Sequence, residues 1–227
     1  MDIRIKKRIL FEDNHLIVVN KLPGELVQGD FTGDTPLLEK VRDYIREEYN
    51  KPGNVFTGLV HRLDRPTSGI VIFAKTSKAL ARMNALFEKR EVEKIYWAIV
   101  KGFPQQEEGR LEHYLKKNQQ KNKSEYFFKP VKGGKRAALF YKVIKKLEQY
   151  SVLEISLETG RHHQIRVQLS AIGLPIKGDL KYGFSRSNKD AGVCLHAKKV
   201  IFEHPVNKEN LTIEAPLPTG ENIWKFV

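Results

Sequence analysis

The sequence predicts an α+β fold in which a mostly antiparallel mixed sheet carries packed helices. Three observations carry this expectation. Strand-like runs outnumber helical stripes, several runs alternate apolar and polar residues like a sheet with one wet face, and the regular strand–helix alternation of a parallel α/β fold is not sustained. With 227 residues, 41% of them hydrophobic, the chain can bury a sizeable core without disulfide or metal staples. A single domain spanning 1–227 is expected, because the one candidate boundary, residues 102 to 110, is too short for a linker.

Residues 8 to 20, "RILFEDNHLIVVN", read as two short strands around a turn at Glu12 to Asn14. The stretch "KLPGELVQGDFTGD" carries Pro23, Gly24, Gly29 and Gly33 and is a loop. From Thr35 a helix is signalled: Thr35 as N-cap, Pro36 in the first turn, then Leu37, Leu38, Val41, Tyr44, Ile45 and Tyr49 on one stripe. "IVIFAK" is a buried strand, and "TSKALARMNALFEKR" is a helix with Ala79, Leu80, Met83, Leu86 and Phe87 inward. "KIYWAIVKG" follows as a strand ending at Gly102. In "ALFYKVIKKL" and "SVLEISLETG" the alternation of Leu139, Tyr141 and Val143, and of Leu153, Ile155 and Leu157, marks strands with one solvated face. "RHHQIRVQLSAIG" is a helix stopped by Gly173, with Ile165, Leu169 and Ile172 as its buried stripe. "GVCLHAKKVIFEHP" and "NLTIEAP" close the chain as strands.

Forty Lys plus Arg against 27 Asp plus Glu leave a formal charge of +13, which suits a polyanionic partner, nucleic acid above all. A membrane partner is not expected. No apolar run approaches the roughly 20 residues that cross a bilayer, no basic amphipathic helix stands out, and "MDIRIKKRILFED" lacks a signal-peptide core. The one cysteine, Cys194, excludes an internal disulfide and a Cys-rich zinc site; it reads as strand packing in a cytoplasmic protein. Residues 116 to 136, "KKNQQKNKSEYFFKPVKGGKR", hold eight basic residues and one acid around Tyr126, Phe127 and Phe128. That composition suits an RNA-facing hairpin and a solvated loop equally. Without coiled-coil heptads, the expected state is a monomer with no obligate protein partner.

The chemistry concentrates in "VHRLDRPTSGI", residues 60 to 70. Asp64 stands between Arg62 and Arg65 and just before a core strand. A carboxylate there needs pairing or hydrogen bonds, and nearby guanidinium groups favour its ionised form, which can act as nucleophile or base. A loop-fixing ion pair is the plain alternative. Thr67, Ser68 and Gly69 form a small turn into the strand, so a rigid sheet controls where Asp64 sits. The string differs from a kinase catalytic loop, with no Gly-rich loop and no Asp-Phe-Gly.

A second group lies in "LETGRHHQIRVQLSAIGLPIKGDLKYG", residues 157 to 183. Arg166 borders the apolar stripe and calls for an anion, either a local acid such as Glu158 or Asp64 delivered by the fold. His162 and His163 invite a metal, with His196 and His204 as further ligands. The spacing argues against it, since no His-Glu-x-x-His pattern is present, and no nucleotide phosphate loop occurs either.

These motifs resemble the RluA family of pseudouridine synthases, which isomerise uridine in ribosomal or transfer RNA. The resemblance runs through "LIVVNKLPG", "GLVHRLDRPTSGIVIFAKT", "KIYWAIVKG", "LETGRHHQIRVQLSAIGLPIKGDLKYG" and "LHAKKVIFEHP", in the family's order. It implies the pseudouridine synthase catalytic fold, a catalytic Asp64, a stacking Tyr96, Arg166 as the basic partner of the aspartate and Leu195 as an apolar pocket residue. It also implies that Arg62 enters the RNA stack as the uridine leaves it. His61, Arg65 and Arg161, in the same motifs, are further candidates for RNA contact, Arg65 also as a support for its loop. Neither a cofactor nor a metal is implied.

Two positions depart from the family's usual pattern: Gln168 where a histidine is common, and Leu22 where "NKPxG" has proline. The small N-terminal RNA-binding domain of many relatives is expected to be absent, since strand-like sequence begins by residue 8. The alternative is a catalytically silent RNA-binding or RNA-chaperone protein on the same fold, against which the intact Asp64, Tyr96 and Arg166 argue.

Overall fold

Buried apolar runs and capping residues fix the first elements of the chain. The structure, a computed structural model, describes residues 3–227. The chain divides into two compact units, Met1–Glu93 with Ala197–Pro218, and Lys94–His196 with Thr219–Val227.

The first unit begins with a short helix, Ile3–Lys6 (α1), and an antiparallel pair, Ile9–Glu12 (β1) and Leu16–Lys21 (β2), joined by a turn at residues 13–15, one residue later than the sequence marks it. There follow Leu37–Glu48 (α2), Gly58–Leu59 (β3), Ser68–Ala74 (β4) and Ser77–Lys89 (α3). Strand β4 runs antiparallel to β2, with Val18 opposite Ile72 and Lys21 opposite Gly69. Every residue of β4 is buried, and from Ile70 to Ala74 its sequence is continuously apolar and not alternating.

Helix α3 starts one residue into the helical run read from the sequence, and Thr76 caps it: its side chain accepts the Ala79 N–H at 3.1 Å. Helix α2 differs. Pro36 occupies the cap position and makes no side-chain bond, and the Leu37 and Leu38 N–H groups donate instead to the carbonyls of Leu26 and Val27 at 2.7 and 3.1 Å. Thr35 is not the cap, because the preceding loop supplies the acceptors.

The second unit contains Glu93–Lys101 (β5, starting at the unit boundary), Glu108–Asn118 (β6), Lys123–Phe127 (β7), Lys135–Lys146 (β8), Tyr150–Leu157 (β9) and the helix Gln164–Ala171 (α4). The strands lie in the order β5-β9-β8-β6-β7, each pair antiparallel. Residues 116 to 136 therefore form a hairpin, β6 into β7, and the turn that leads to β8. Strand β6, which the sequence does not announce, starts where a boundary was considered.

Helix α4 starts three residues later than expected. His163 adopts a left-handed conformation, φ 54°, so Arg161 to His163 form a turn and the helix begins at Gln164. Ile172, expected in the buried stripe, caps the helix and is 37% exposed.

The final strands are Leu195–Glu203 (β10) and Asn210–Glu214 (β11). From Ala197 onward β10 belongs to the first unit, where Val200 lies opposite Ile213 of β11. Gly69 sits against this part of β10. Its φ is +110°, and a Cβ there would fall 2.3 Å from the Ala197 carbonyl oxygen, so only glycine fits the turn into β4.

Candidate active site

Asp64 lies half-buried on the loop between β3 and β4, in a turn closed by the Thr67 N–H donating to the Asp64 carbonyl at 3.0 Å. The support beneath this loop is Lys21, the last residue of β2 and wholly buried. Its Nζ donates to the carbonyls of Thr67, Arg65 and Leu22 at 2.6, 2.9 and 3.0 Å. Three acceptors match the three protons of an ammonium group. Burial nevertheless pulls the Lys21 pKa down to about 7, opposed by the charges of Glu25 and Asp64.

Glu25 fastens the preceding turn. Arg8 donates to both of its carboxylate oxygens at 2.6 and 3.2 Å, Lys40 adds a contact at 3.0 Å, and the Leu22 N–H another at 3.0 Å. Burial alone would raise the Glu25 carboxyl, but the Arg8 hydrogen bond and charge hold it below the usual carboxylate value.

The neighbours of Asp64 point different ways. Arg65 turns back, Nε to the Gly24 carbonyl at 3.0 Å and Nη2 to Asp34 at 2.5 Å, and so ties the Asp64 loop to residues 24–34. Arg62 is exposed. His61 accepts the Ile72 N–H on Nε2 at 3.2 Å, and its ring stacks on Phe87 at 5.1 Å. A cavity of about 400 Å³ opens beside them, lined by Gln28, Leu38, Leu59, Val60, His61 and Arg62.

In the second unit Arg166 is buried on the first turn of α4 and faces Asp179. Its Nε donates to Oδ2 at 2.7 Å and its Nη2 to Oδ1 at 2.8 Å, a bidentate pair with both side chains at most 5% exposed. Glu158, considered as the local acid for Arg166, is held by Arg110 at 2.6 and 3.0 Å. The Arg166 guanidinium also lies over the Tyr182 ring at 5.2 Å.

Tyr182 joins the start of α4 to the basic hairpin. Its hydroxyl accepts the Ser124 N–H at 2.8 Å and bonds His163 Nδ1 at 2.9 Å, while Ser124 Oγ donates to the His162 carbonyl at 2.7 Å. Burial pushes the His163 pKa down to about 2, with the charge of Arg166 adding to the effect, so this ring stays neutral. The His162 and His163 rings stack at 3.7 Å. Among the described residues, no group of three or more His, Cys, Asp or Glu side chains is arranged to hold a metal ion.

Tyr96 lies buried in β5 opposite Ile155, and Leu195 opens β10 at 4% exposure. Arg161 donates from Nε to the Arg136 carbonyl at 3.0 Å. Gln168 is buried and donates to the carbonyls of Leu111 and Ala137, both at 3.2 Å, so it holds α4 to β6 and β8. Burial raises the Cys194 thiol to about 12, which leaves it unreactive.

The model of the RNA pseudouridylate synthase family matches residues 15–171. The chain belongs to this family. It is an RNA pseudouridine synthase, an isomerase of the RluA family, and the α+β class read from the sequence is the class observed. Among its curated relatives, ribosomal large subunit pseudouridine synthase C of Buchnera aphidicola is 35% identical, over 92% of this chain and 67% of that protein. Ribosomal large subunit pseudouridine synthase D of Zymomonas mobilis is 34% identical over 94% and 70%. The tRNA pseudouridine synthase C of Haemophilus ducreyi is 34% identical over 92% and 90%. Among solved structures, human RNA pseudouridylate synthase domain containing 1 superposes with TM-score 0.74 at 26% identity, covering 93% of this chain and 83% of that one. Human RNA pseudouridylate synthase domain containing 4, with TM-score 0.80 at 24% identity over 95% and 90%, shares the fold.

The sequence does not single out Lys21, Asp179 or Tyr182 of this synthase, and it offers His163 only as a metal-ligand candidate, not as the neutral hydrogen-bond partner of Tyr182. A lysine that ends an apolar strand is the signal for the first. The run "KGDLKYG" carries the next two, but only the fold brings it against α4.

Proposed function

We propose that this synthase converts specific uridines of structured ribosomal or transfer RNA to pseudouridine, with Asp64 as the catalytic carboxylate. The observation that carries this reading is the Asp64 loop itself: a half-buried carboxylate on a turn held from below by a buried lysine, within the family's matched span. The names of the curated relatives, which act on ribosomal and transfer RNA, support the choice of substrate.

The reaction breaks the C1′–N1 bond of one uridine and makes a C1′–C5 bond, while the C5 proton is lost and N1 takes one up. No redox partner is needed, because the product is an isomer of the substrate. Asp64 either attacks C1′ to form an ester or removes a proton from C2′ to give a glycal; in both routes its charge offsets the positive charge that develops on the sugar. Reaching C1′ requires the nucleotide to leave its helix, at a cost of a few kcal/mol. The exposed, planar Arg62 fills the gap by stacking, a role a lysine cannot take.

Tyr96 offers its ring to the extruded uracil, Leu195 an apolar wall, and Arg166 serves as the basic partner of Asp64, with Asp179 fixing its orientation. His61, Arg65 and Arg161 flank the RNA, Arg65 chiefly as the tether of the Asp64 loop. The net charge of +13 grips phosphates. The reading treats 1–227 as one catalytic domain acting as a monomer in the cytoplasm; among the described residues no helix is long and apolar enough to cross a membrane. The test is incubation of the protein with total RNA from cells that lack it, followed by mapping of new pseudouridines.

A further inference from the structure

Among the large apolar side chains described, Phe31 is the most exposed, at 98%. A single exposed apolar residue is ordinary on a protein surface. Its attachment sets this one apart. Arg65, next to Asp64 in sequence, holds the Phe31 loop at two points, the Gly24 carbonyl at 3.0 Å and the Asp34 carboxylate at 2.5 Å. Within the loop, Asp30 accepts from the Thr32 N–H at 2.8 Å and from its hydroxyl at 2.5 Å, a local turn with Phe31 at its tip. Gln28 and Leu38, on either side of Phe31 in sequence, line the same 400 Å³ cavity as Arg62 and His61.

The charge of this segment is equally informative. From Leu22 to Glu39 there is neither lysine nor arginine, in a chain of net charge +13. The segment is therefore poorly suited to gripping phosphates. Of its acids, Glu25 is taken up by Arg8 and Lys40, and Asp34 by Arg65. What the loop presents at its tip is a ring. Aromatic faces hold nucleobases independently of phosphate charge, and apolar side chains can enter a base step that has been opened.

We propose that Phe31 is a base-stacking contact for the RNA, placed by the Arg65 tether against a nucleobase beside the target uridine. The inference rests on the proposed function, since it takes RNA as the ligand and Asp64 as the reacting group. The partner it names is an unstacked base, recognised by its π face, and the contact tolerates any base identity. Because no phosphate is engaged, Phe31 adds affinity without adding to the salt dependence of binding.

The experiment uses the full chain and deproteinised total RNA from cells lacking the protein. In Phe31→Ala the half-saturating RNA concentration for pseudouridine formation rises about tenfold, the scale of one lost stacked base, and the slope of log affinity against log salt matches wild type. Phe226→Ala, which removes another exposed phenylalanine, matches wild type in both. In Phe31→Trp the emission of the introduced indole, read after subtraction of the wild-type signal from Trp97 and Trp224, is quenched as RNA saturates the protein. An unchanged half-saturating concentration in Phe31→Ala, or an indole in Phe31→Trp whose emission ignores saturating RNA, overturns the proposal. If wild type binds RNA and forms no pseudouridine, the proposed function fails instead, and the Phe31→Trp titration still decides the stacking contact.

Discussion

Lys21 Nζ donates to the Thr67 carbonyl at 2.6 Å and, through two further bonds to Arg65 and Leu22, holds the loop of Asp64 from inside the first unit. A Lys21→Met substitution fills the same space and takes the ammonium donor from the Thr67 carbonyl, while the Arg65 and Leu22 carbonyls keep the Gly24 and Glu25 N–H groups at 2.9 and 3.5 Å. One unsatisfied buried acceptor costs about 1–3 kcal/mol, partly offset by removing a desolvated charge, so a net loss of roughly 1–2 kcal/mol is expected in urea denaturation. Turnover falls more than RNA affinity, since the loop loses its position and not its basic surroundings. A variant as stable and as active as wild type would show that Lys21 does not hold the loop.

The same residue predicts a pH dependence. In the folded protein Lys21 loses its proton near pH 7, whereas in the unfolded chain it keeps it to about 10.5. Between these values the unfolded state binds more protons, so this group makes stability rise as pH increases from about 7 to 10.5, and contributes no slope below 7. Subtracting the stability–pH profile of Lys21→Met from that of wild type isolates the contribution. A difference that is flat or falls across this window contradicts the assignment.

Arg166 and Asp179 form a buried pair, and breaking such a pair from one side costs about 3–5 kcal/mol because the other charge stays buried. Asp179→Asn is expected to show a loss of that size in denaturation. Arg166→Met carries the same penalty through the unpaired Asp179, and it also cuts turnover while RNA affinity, measured under conditions where the variant is folded, stays near wild type. Equal losses of turnover and affinity would remove Arg166 from the reaction.

Tyr182→Phe tests the link between the basic hairpin and α4. The lost hydroxyl leaves the Ser124 N–H and His163 Nδ1 without their shared partner, at an expected cost of about 1–3 kcal/mol. Amide hydrogen exchange of Ser124 accelerates with it. An unchanged exchange rate would mean that the hydroxyl does not anchor the hairpin.

RNA binding is expected to weaken steeply with salt, with log affinity falling by about 0.7 per tenfold rise in salt for each phosphate engaged on a single strand. Filter binding between low and moderate salt measures the slope. A flat response would separate the +13 charge from RNA binding.

The elements legible in the sequence are those whose local and global signals agree. Thr76 followed by the Ala79, Met83 stripe marks α3, and the unbroken apolar run of β4 marks a core strand. Strand β6 escapes because its burial alternates around charged residues, Arg110, Glu112, Lys116 and Lys117, with only His113 and Leu115 fully buried. The start of α4 escapes because His163 is left-handed and its ring is bonded to Tyr182, nineteen residues away, and neither feature has a local sequence signal. In the site, Asp64 and the turn at Gly69 stand out from their own neighbours. Lys21 and Asp179 do not, because their partners, the carbonyls of a distant loop and a guanidinium on another element, exist only after folding.

The central claim is that Asp64 is the catalytic carboxylate. Its most direct test is to incubate wild type and Asp64→Ala, at equal RNA occupancy, with total RNA from cells lacking the protein and to map pseudouridines at nucleotide resolution. New pseudouridines at discrete positions with wild type, and none with Asp64→Ala although it binds the RNA, are the predicted result. Equal modification by the two proteins would contradict it.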